Sequence, residues 1–443
     1  MLPGGTGFFS GAPLETALGA DILYMKLNLW SLLLKLPSFI KTPILRRVVF
    51  FPTSISNSLH FKVAETQDEL EQAFKLLHDA YVRENLMSPH PSGMRITKYH
   101  TLPSTTTLIA VENNVVVGTV SLIRQSSFGL PLKSIFDISD VPASARLAEV
   151  SALAIKTDQL HQRGRILFPL LKFLTHYSRD YFGVTHFVIA VNPKWIDFYK
   201  SILLFKPLAK KPVKNYSFVN GAPAVGGILD IEKLPQIFYK AYGNKPNNKN
   251  LYKFFIELER TNMFFPLRKK SVITDPMLSP KLLEHFFIKK SSCLNEMTGA
   301  EHSILREMYD YPEYLNLIPE GNVVNFRKRR NNKRLEITLE GRLLLQNEQS
   351  VPLNIHDVSL HGFGGFAAKS LELQGSHKVL INIEDFAPCE LVGKFVHVEA
   401  TGRFGFEVNQ SCHRWRAFID HLDSRIQVIS DQSLARWVAN QNQ

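Results

Sequence analysis

Residues 146–155 read RLAEVSALAI, and they are followed by GRILFPLLKFLTHYSRDYFG at 164–183 and HFVIAV at 186–191. The first and third stretches are short apolar runs with β-branched residues, which is typical of buried strands. The second stretch is too long for a strand and repeats its apolar residues at helical spacing. This part of the chain therefore predicts a strand, a helix and a second strand in succession.

The flanking residues extend this alternation of strands and helices. The sequence TLIAVENNVVVGTVSLIRQ at 107–125 predicts a β-hairpin, because two strand-forming runs enclose the turn-forming pair Asn113-Asn114. Residues 65–85 have apolar side chains at helical spacing, and residues 230–320 are largely helical in pattern. The first three quarters of the chain therefore predict a domain built of both α-helices and β-strands, which we call the mixed domain.

The pattern changes after residue 326. Short strand-like runs separated by Gly, Asn and Ser predict a small antiparallel barrel, which a helix at about 412–422 follows. The predicted fold class is α+β, with the mixed domain ahead of the barrel. The predicted boundaries are 1–60 for an N-terminal segment, 61–320 for the mixed domain, 321–425 for the barrel domain and 426–443 for a tail.

Composition describes an ordinary globular protein. Of the 443 residues, 45% are hydrophobic, which suffices for a sizeable core. The three cysteines, Cys293, Cys389 and Cys412, lie far apart in sequence and show no CxxC spacing. This pattern predicts a reducing compartment, and it predicts neither a disulfide framework nor a structural metal site.

Two motifs near the start of the barrel carry candidate ligand-binding residues. RKRRNNKR at 327–334 places Arg330 and Arg334 four residues apart, and HDVSLHG at 356–362 follows downstream. Two guanidinium groups can grip phosphate and the O6/N7 edge of guanine in a bidentate manner. In the second motif, the Asp and Ser side chains can order a turn or reach a base edge, and the glycine permits close backbone approach.

Together the two motifs resemble the RxxxR and [D/N]xSxxG motifs of PilZ domains, which bind cyclic di-GMP. The resemblance covers about residues 325–422, where GRFGFEVN and Trp415 also agree with the pattern. It implies cyclic di-GMP as a regulatory ligand. The implied contacts come from Arg329, Arg330, Arg334, Asp357, Ser359 and Gly362. A solvated basic face is the weaker alternative, and nucleic-acid binding is not expected, because the basic run lacks interleaved aromatic residues or a recognition helix.

The mixed domain resembles the GNAT acyltransferase fold in its order of hairpin, strand, loop, helix, strand and helix. Within that group it is similar to N-acyl amino acid synthases, which are related to acyl-homoserine-lactone synthases. The residues that carry this resemblance are LLHDAYVREN at 76–85, RLAEVSALAI at 146–155, RGRILFPLLKFL at 163–174 and VNPKWIDFYKSILLFKPL at 191–208. The resemblance implies an acyltransferase that takes a long acyl chain from acyl carrier protein, without a catalytic cofactor or metal.

Attack of a free amine on an acyl thioester needs a base for the amine and donors for the thioester oxygen. Glu149 is the candidate base or amine-positioning group, and a structural ion pair with Arg146 or another cation is the alternative role. The loop HQRGR at 161–165 enters a helix where the GNAT fold receives pantetheine or pyrophosphate. Arg163, Gly164 and Arg165 are the candidate contacts to the acyl carrier. Tyr199 is either a donor to the leaving thiolate or a packed aromatic residue.

Residues 25–51 are apolar and basic, and lysines and prolines interrupt them before a membrane span can form. They predict either a short helix in a membrane interface or a helix packed on the protein's own core. The expected location is the cytoplasm, with contact at the inner membrane face under the first alternative. A non-catalytic cyclic di-GMP effector is the alternative function, because His161, Ile166 and Ala152 depart from the patterns of the related enzymes.

Overall fold

The structure is a computed structural model. It describes residues 37–138, 141–142, 145–156, 163–209, 212–266, 277–309, 312–320, 334–345, 349–367, 371, 375–383, 388–399, 402–424 and 428–429. The main elements of the mixed domain are α1 (Ser38–Val48), β1 (Leu59–Val63), α2 (Gln67–Arg83), β2 (Thr105–Glu112), β3 (Val115–Arg124), β4 (Leu147–Ile155), α3 (Arg163–Phe182), β5 (His186–Val191), α4 (Ile196–Ser201), β6 (Lys206–Pro207), β7 (Val213–Tyr216), β8 (Ala222–Asp230), α5 (Leu234–Tyr242), β9 (Met263–Phe264), β10 (Met277–Leu278), α6 (Pro280–Glu284), α7 (Cys293–Glu296), α8 (Gly299–Met308) and α9 (Pro312–Leu315). The later elements are β11 (Leu335–Leu344), β12 (Ser350–Ser359), β13 (Gly362–Ala367), β14 (His377–Ile381), β15 (Cys389–Val398), β16 (Arg403–Gln410), α10 (His413–Ser424) and β17 (Val428–Ile429).

A nine-stranded sheet forms the centre of the mixed domain. Eight of its strands follow the order β6-β8-β5-β4-β3-β2-β1-β9, and β7 pairs with β8. The predicted strand, helix and strand are β4, α3 and β5, and the two strands pair in parallel. The predicted hairpin is β2 and β3, and its turn residues Asn113 and Asn114 both have positive φ. Asparagine tolerates this left-handed backbone better than most residues, which explains why the pair predicted the turn.

The sheet has a hydrophobic core on each face because side chains alternate along a strand. On β2, Leu108 joins the core that α3 covers, and its neighbour Ile109 joins the core that α2 covers. The second core also contains Phe286 and Phe287 from the helical segment before the barrel. These two phenylalanines near the end of the mixed domain are therefore core residues.

Helix α1 packs against the mixed domain through polar contacts. The Lys41 ammonium lies 2.5 Å from the Asp197 carboxylate, and Lys41 is only 6% exposed. The Arg46 guanidinium donates to the Ser201 carbonyl at 2.9 Å. For residues 38–48 this geometry agrees with the packed-helix alternative, whereas residues 25–36 lie outside the described part. In the part of the chain that is described, no helix is both long and apolar enough to cross a membrane.

The strands after residue 334 close into a barrel in the order β11-β12-β13-β16-β15-β14. Helix α10 follows the last strand, and its Trp415 side chain is completely buried in the barrel core. The α+β fold class is confirmed: a mixed domain around a nine-stranded sheet precedes a small antiparallel barrel.

Lys172 on α3 should be essential for the stability of the mixed domain. Its ammonium is fully buried and donates to the Phe254 and Leu258 carbonyls. Lys172→Met should lower the free energy of unfolding by about 2 to 4 kcal/mol, because it leaves both carbonyls without their donor. Urea unfolding measures this difference. The exposed Lys253→Met is the matched control, and an equal effect of the two substitutions would contradict the interpretation.

Candidate active site and nucleotide site

A cavity forms where β4 and β5 separate. The two strands pair only from Leu147 opposite His186 to Glu149 opposite Val188. Beyond Glu149 they diverge, and residues of both strands line a cavity of about 290 Å³. The separation of two central strands therefore opens the sheet at its middle.

The far half of β4 carries a bulge that faces this cavity. Between the pairs Ser121–Ser151 and Thr119–Ala154, two residues of β4, Ala152 and Leu153, stand opposite a single residue of β3. Ala152 has φ of 53°, a left-handed conformation that an alanine rarely adopts. Such outliers concentrate at functional sites, and a bulge removes backbone N–H groups from the strand ladder.

The cavity walls are mainly apolar and aromatic. Leu167 in the first turns of α3 and Tyr199 on α4 contribute to them, together with Trp195 and Phe198. The Tyr199 ring packs edge-on against Phe198, and burial raises the pKa of its hydroxyl above the ordinary value. Tyr199 is thus both a packed aromatic residue and a neutral phenol at the cavity.

Glu149 is buried at the point where the strands diverge. It is 1% exposed, and its Oε2 atom accepts a hydrogen bond of 2.8 Å from the backbone N–H of Leu132. Burial raises the pKa of the Glu149 carboxyl to about 8, although the Leu132 N–H opposes the shift. Arg146 bonds to the Gly183 carbonyl and to Glu340, so the predicted alternative of an Arg146–Glu149 ion pair is wrong.

Tyr216 connects the surroundings of Glu149 with the cavity. It lines the cavity and is 1% exposed, and within the described residues its hydroxyl has no hydrogen-bond partner. Burial raises the pKa of Tyr216, and the charge of the nearby Glu149 raises it further. Tyr216 is therefore a neutral, buried hydroxyl at the cavity wall, near enough to Glu149 for the charge of that carboxyl to affect it.

The predicted acyl-carrier contacts lie at the start of α3. Arg165 is exposed there, and Gly164 has no atom closer than 3.6 Å to the position that a Cβ would take. Residues 157–162 and the Arg163 side chain lie outside the described part. Ile166 is a core residue, because its Cγ2 atom comes within 2.8 Å of a Cβ built on Gly118. Its departure from the related enzymes therefore has a packing reason.

The barrel brings together Arg334 and Asp357 of the two nucleotide motifs. The Arg334 Nη1 atom lies 2.5 Å from Asp357 Oδ1, and its Nε atom lies 2.7 Å from Glu307 Oε2 on α8. Asp357 is 1% exposed. A Cβ built on Gly364 would lie 2.5 Å from the Asp357 Oδ2 atom, so the glycine makes room for this carboxylate. Arg329 and Arg330 lie outside the described residues.

Ser359 and Gly362 close the turn that follows Asp357. The Ser359 hydroxyl donates to the Gly362 carbonyl at 3.1 Å. A Cβ on Gly362 would lie 2.5 Å from the Phe406 carbonyl oxygen, so the glycine permits the close approach of β13 and β16. The Trp415 indole N–H donates to the Leu360 carbonyl at 3.1 Å. Helix α10 therefore contacts the motif loop through this hydrogen bond.

The mixed domain contacts the nucleotide motif directly. The Ser127 hydroxyl, in the loop between β3 and β4, donates to Asp357 Oδ2 at 2.8 Å. Burial tends to raise the pKa of Asp357, but Arg334, His356 and Ser127 together hold it well below its ordinary value. Asp357 is therefore an ionised, buried group that both domains stabilise.

The loop that carries Ser127 also reaches Glu149. We name residues 125–134 the bridging loop. Ser127 contacts Asp357 at one end, and the Leu132 N–H bonds to Glu149 at the other. The Lys133 ammonium lies 3.5 Å from the centre of the Phe366 ring on β13. The nucleotide motif and the candidate base are thus joined through one short segment.

Sequence reasoning missed several residues of these sites. Ser127 and Glu307 belong to no recognisable motif, and only the folded chain brings them to Asp357 and Arg334. Tyr216 lies in an ordinary aromatic stretch, KNYSFVNG. The sequence does not indicate that the hydroxyl of this tyrosine is buried without a hydrogen-bond partner among the described residues.

The mixed domain is similar to an N-acyl amino acid synthase and to an acyl-homoserine lactone synthase. Residues 72–230 match the family model described as the N-acyl amino acid synthase FeeM. The structure of FeeM from uncultured soil microbes is 22% identical and has a TM-score of 0.35; the similarity covers 41% of this chain and 96% of that chain. BjaI, a CoA-dependent acyl-homoserine lactone synthase solved with MTA, is 18% identical and has a TM-score of 0.34, with coverage of 48% and 94% respectively.

A solved PilZ domain also shows similarity. The cyclic di-GMP-bound PilZ domain of YcgR from Escherichia coli is 12% identical and has a TM-score of 0.19, covering 25% of this chain and 98% of that domain. No curated protein matches the chain. The FeeM family match covers residues 72–230 only, and it supports an acyltransferase activity for the mixed domain.

Proposed function

We propose that the protein is a cyclic di-GMP-responsive N-acyltransferase that moves a long acyl chain from acyl carrier protein to the amine of an amino acid or a related compound. The observation that carries the catalytic part is the apolar cavity between β4 and β5, with Glu149 where these strands diverge. An apolar cavity suits an acyl chain, and a buried carboxyl with a raised pKa suits proton transfer near neutral pH.

The proposed reaction joins the amine nitrogen to the thioester carbonyl carbon. Glu149 takes the proton that the attacking amine loses, and the carbon–sulfur bond breaks to release the carrier thiolate. Backbone N–H groups of the bulge at Ala152 and Leu153 stabilise the negative charge on the carbonyl oxygen. Tyr216, a neutral hydroxyl beside Glu149, positions the amine at the cavity wall. The exposed Arg165, with Arg163 and Gly164, receives the acidic carrier protein or its pantetheine phosphate.

The second part of the proposal assigns the barrel to cyclic di-GMP. Arg334, Asp357, Ser359 and Gly362 lie together at one end of the barrel, and Arg329 and Arg330 precede them in the chain. The Arg334 guanidinium already contacts two carboxylates in this structure. A nucleotide phosphate or guanine edge would therefore compete with Glu307 and Asp357 for Arg334.

This competition makes the nucleotide a candidate regulator of catalysis. When Arg334 and Asp357 bind the nucleotide, the Asp357 carboxylate moves and no longer accepts the hydrogen bond from Ser127. The bridging loop then changes its position, and its Leu132 N–H no longer holds Glu149 in the same way. A ligand shifts such an equilibrium only by its different affinity for the two states, which here differ in the partners of Arg334 and Asp357.

Glu149→Gln should lower the turnover of amino acid and long-chain acyl carrier protein to N-acyl product by about 100-fold, because the amide cannot accept a proton. The wild-type rate should rise with pH through about 8, where Glu149 loses its proton, and the variant should lack this rise. Product formation followed by mass spectrometry measures both effects.

The exposed Glu232→Gln provides the control and should keep the wild-type rate and pH profile. Unchanged turnover in Glu149→Gln would refute the role of Glu149 and leave the acyltransferase itself intact. Absence of any N-acyl product in the wild type, with nucleotide binding retained, would instead favour the non-catalytic effector.

The Arg330→Ala/Arg334→Ala double variant should bind cyclic di-GMP about tenfold more weakly or worse, since both bidentate groups are lost. Titration calorimetry on the full chain measures the affinity. Arg342→Ala removes an exposed arginine from β11 and should bind as the wild type does. Equal affinity of the double variant and the wild type would overturn the nucleotide assignment.

Saturating cyclic di-GMP should change kcat/KM of the full chain by about fivefold or more, in either direction. Ser127→Ala should still bind the nucleotide and lose most of this response, because the loop is released from Asp357. Steady-state rates with and without nucleotide measure the effect, and a chain that ends near residue 320 should not respond.

Ser134→Ala is the matched control for Ser127. It lies in the same loop, but its hydroxyl donates to the Pro131 carbonyl instead of a barrel residue. Ser134→Ala should therefore keep the response. If the wild-type rate does not change with nucleotide, the barrel controls location or partner binding and the coupling is wrong.

A further inference from the structure

Two cysteine sulfurs lie in contact inside the barrel. Cys389 is the first residue of β15, and Cys412 immediately precedes α10. Their Sγ atoms are 3.3 Å apart, and both are free thiols. The sequence separation of the cysteines predicted no disulfide framework, yet the folded barrel brings this pair together. Neither residue belongs to the cavity or to the nucleotide motifs.

The two thiols differ in exposure and in acidity. Cys389 is completely buried, and burial raises the pKa of its thiol to about 12. Cys412 is partly exposed. Burial also tends to raise the pKa of Cys412, but the Cys389 thiol and the backbone N–H groups of Trp415 and Arg414 outweigh it and lower the pKa. The N-terminal end of α10 thus favours a thiolate at the accessible sulfur.

We propose that Cys389 and Cys412 form a reversible disulfide, with a hydroperoxide as the oxidant. A partly exposed cysteine at a helix start, in contact with a buried second cysteine, is the arrangement of a reactive and a resolving thiol. The sulfurs need to approach from 3.3 Å to about 2 Å, a movement within the reach of side-chain rotation.

The chemistry proceeds in two balanced steps. The Cys412 thiolate attacks one oxygen of hydrogen peroxide, the O–O bond breaks, and the released hydroxide takes a proton to become water. The Cys412 sulfenic acid then reacts with Cys389, whose sulfur displaces the hydroxyl group as a second water. The two thiols are oxidised and the peroxide is reduced. A dithiol reductant returns both cysteines to thiols through thiol–disulfide exchange.

The disulfide would tie the start of α10 to β15. Trp415, three residues after Cys412, holds the Leu360 carbonyl of the nucleotide motif loop. Oxidation would therefore restrain the helix that supports this loop. The modification is a property of the barrel and requires neither acyl transfer nor nucleotide binding.

Cys293 provides an internal control within the same chain. It is also partly exposed, but its Sγ atom donates to the Ile96 carbonyl at 3.4 Å, and burial raises the pKa of its thiol. A reaction governed by exposure alone would oxidise Cys293 and Cys412 alike. The proposed site instead requires the helix start and the neighbouring thiol.

The test treats the reduced full chain with stoichiometric hydrogen peroxide, blocks the remaining thiols with N-ethylmaleimide and maps the peptides without reduction. We expect a peptide pair joined through Cys389 and Cys412, with N-ethylmaleimide only on Cys293. Dithiothreitol should restore labelling of all three cysteines. In Cys389→Ser, dimedone should trap a sulfenic acid on Cys412, whereas Cys412→Ser should keep Cys389 as a thiol.

Two results would overturn the proposal. One is that N-ethylmaleimide still labels all three cysteines of the wild type after peroxide treatment, and that peroxide oxidises Cys412 no faster than Cys293. The other is a dimedone-reactive sulfenic acid that persists on Cys412 in the wild type, since Cys389 would then not act as the resolving thiol. Either result can be read whether or not the variants fold, because both concern the wild-type chain.

Discussion

The buried carboxylate of Asp357 is the interaction on which the relation of the two domains depends. It is 1% exposed and ionised, and Arg334, His356 and Ser127 all lie within hydrogen-bonding distance of it. A buried charge is costly unless it is paired and hydrogen-bonded. Loss of any of these partners would therefore raise the free energy of the folded state. Since Ser127 belongs to the mixed domain, one of the three partners of this charge comes from outside the barrel.

The surroundings of Asp357 extend the same constraint. Glu336, opposite Asp357 on the neighbouring strand, is 6% exposed, and burial raises the pKa of its carboxyl to about 7 although Ser104 and Arg124 oppose the shift. Asn354 donates to the Ala145 carbonyl at 3.2 Å, and Arg146 lies 2.5 Å from Glu340. The barrel therefore contacts the two residues that immediately precede β4. Polar contacts of this kind are specific in geometry, and they make this interface more polar than the apolar cores on either side of it.

The cavity follows from a different constraint, the loss of pairing between β4 and β5. Three residue pairs hold the strands together, and Glu149 belongs to the last of them. The left-handed Ala152 and the bulge beside it prevent β4 from continuing a regular ladder. The cavity at the middle of the sheet thus arises from backbone conformation, and Glu149 is buried at the last β4–β5 pair, next to the lining residue Val150.

Much of the architecture was predictable from local patterns. The alternation of apolar runs predicted β4, α3 and β5, and the pair Asn113-Asn114 predicted the hairpin, because strand and turn preferences act over a few residues. The short strands after residue 326 predicted a barrel, and the resemblance of the motif with Asp357, Ser359 and Gly362 to PilZ domains indicated a ligand loop. Glu149 was identified as a candidate from its strand, but its raised pKa depends on burial that no local pattern records.

The sequence by itself determined which elements form and which motif residues could bind a ligand, since propensity, periodicity and motif spacing are local properties. Only the tertiary structure decided that Ser127 and Glu307 meet Asp357 and Arg334, that the bridging loop reaches Glu149, and that Cys389 contacts Cys412. These contacts join residues far apart in the chain. They arise from the packing of whole elements and from the need to satisfy buried charges, neither of which a single stretch of sequence specifies.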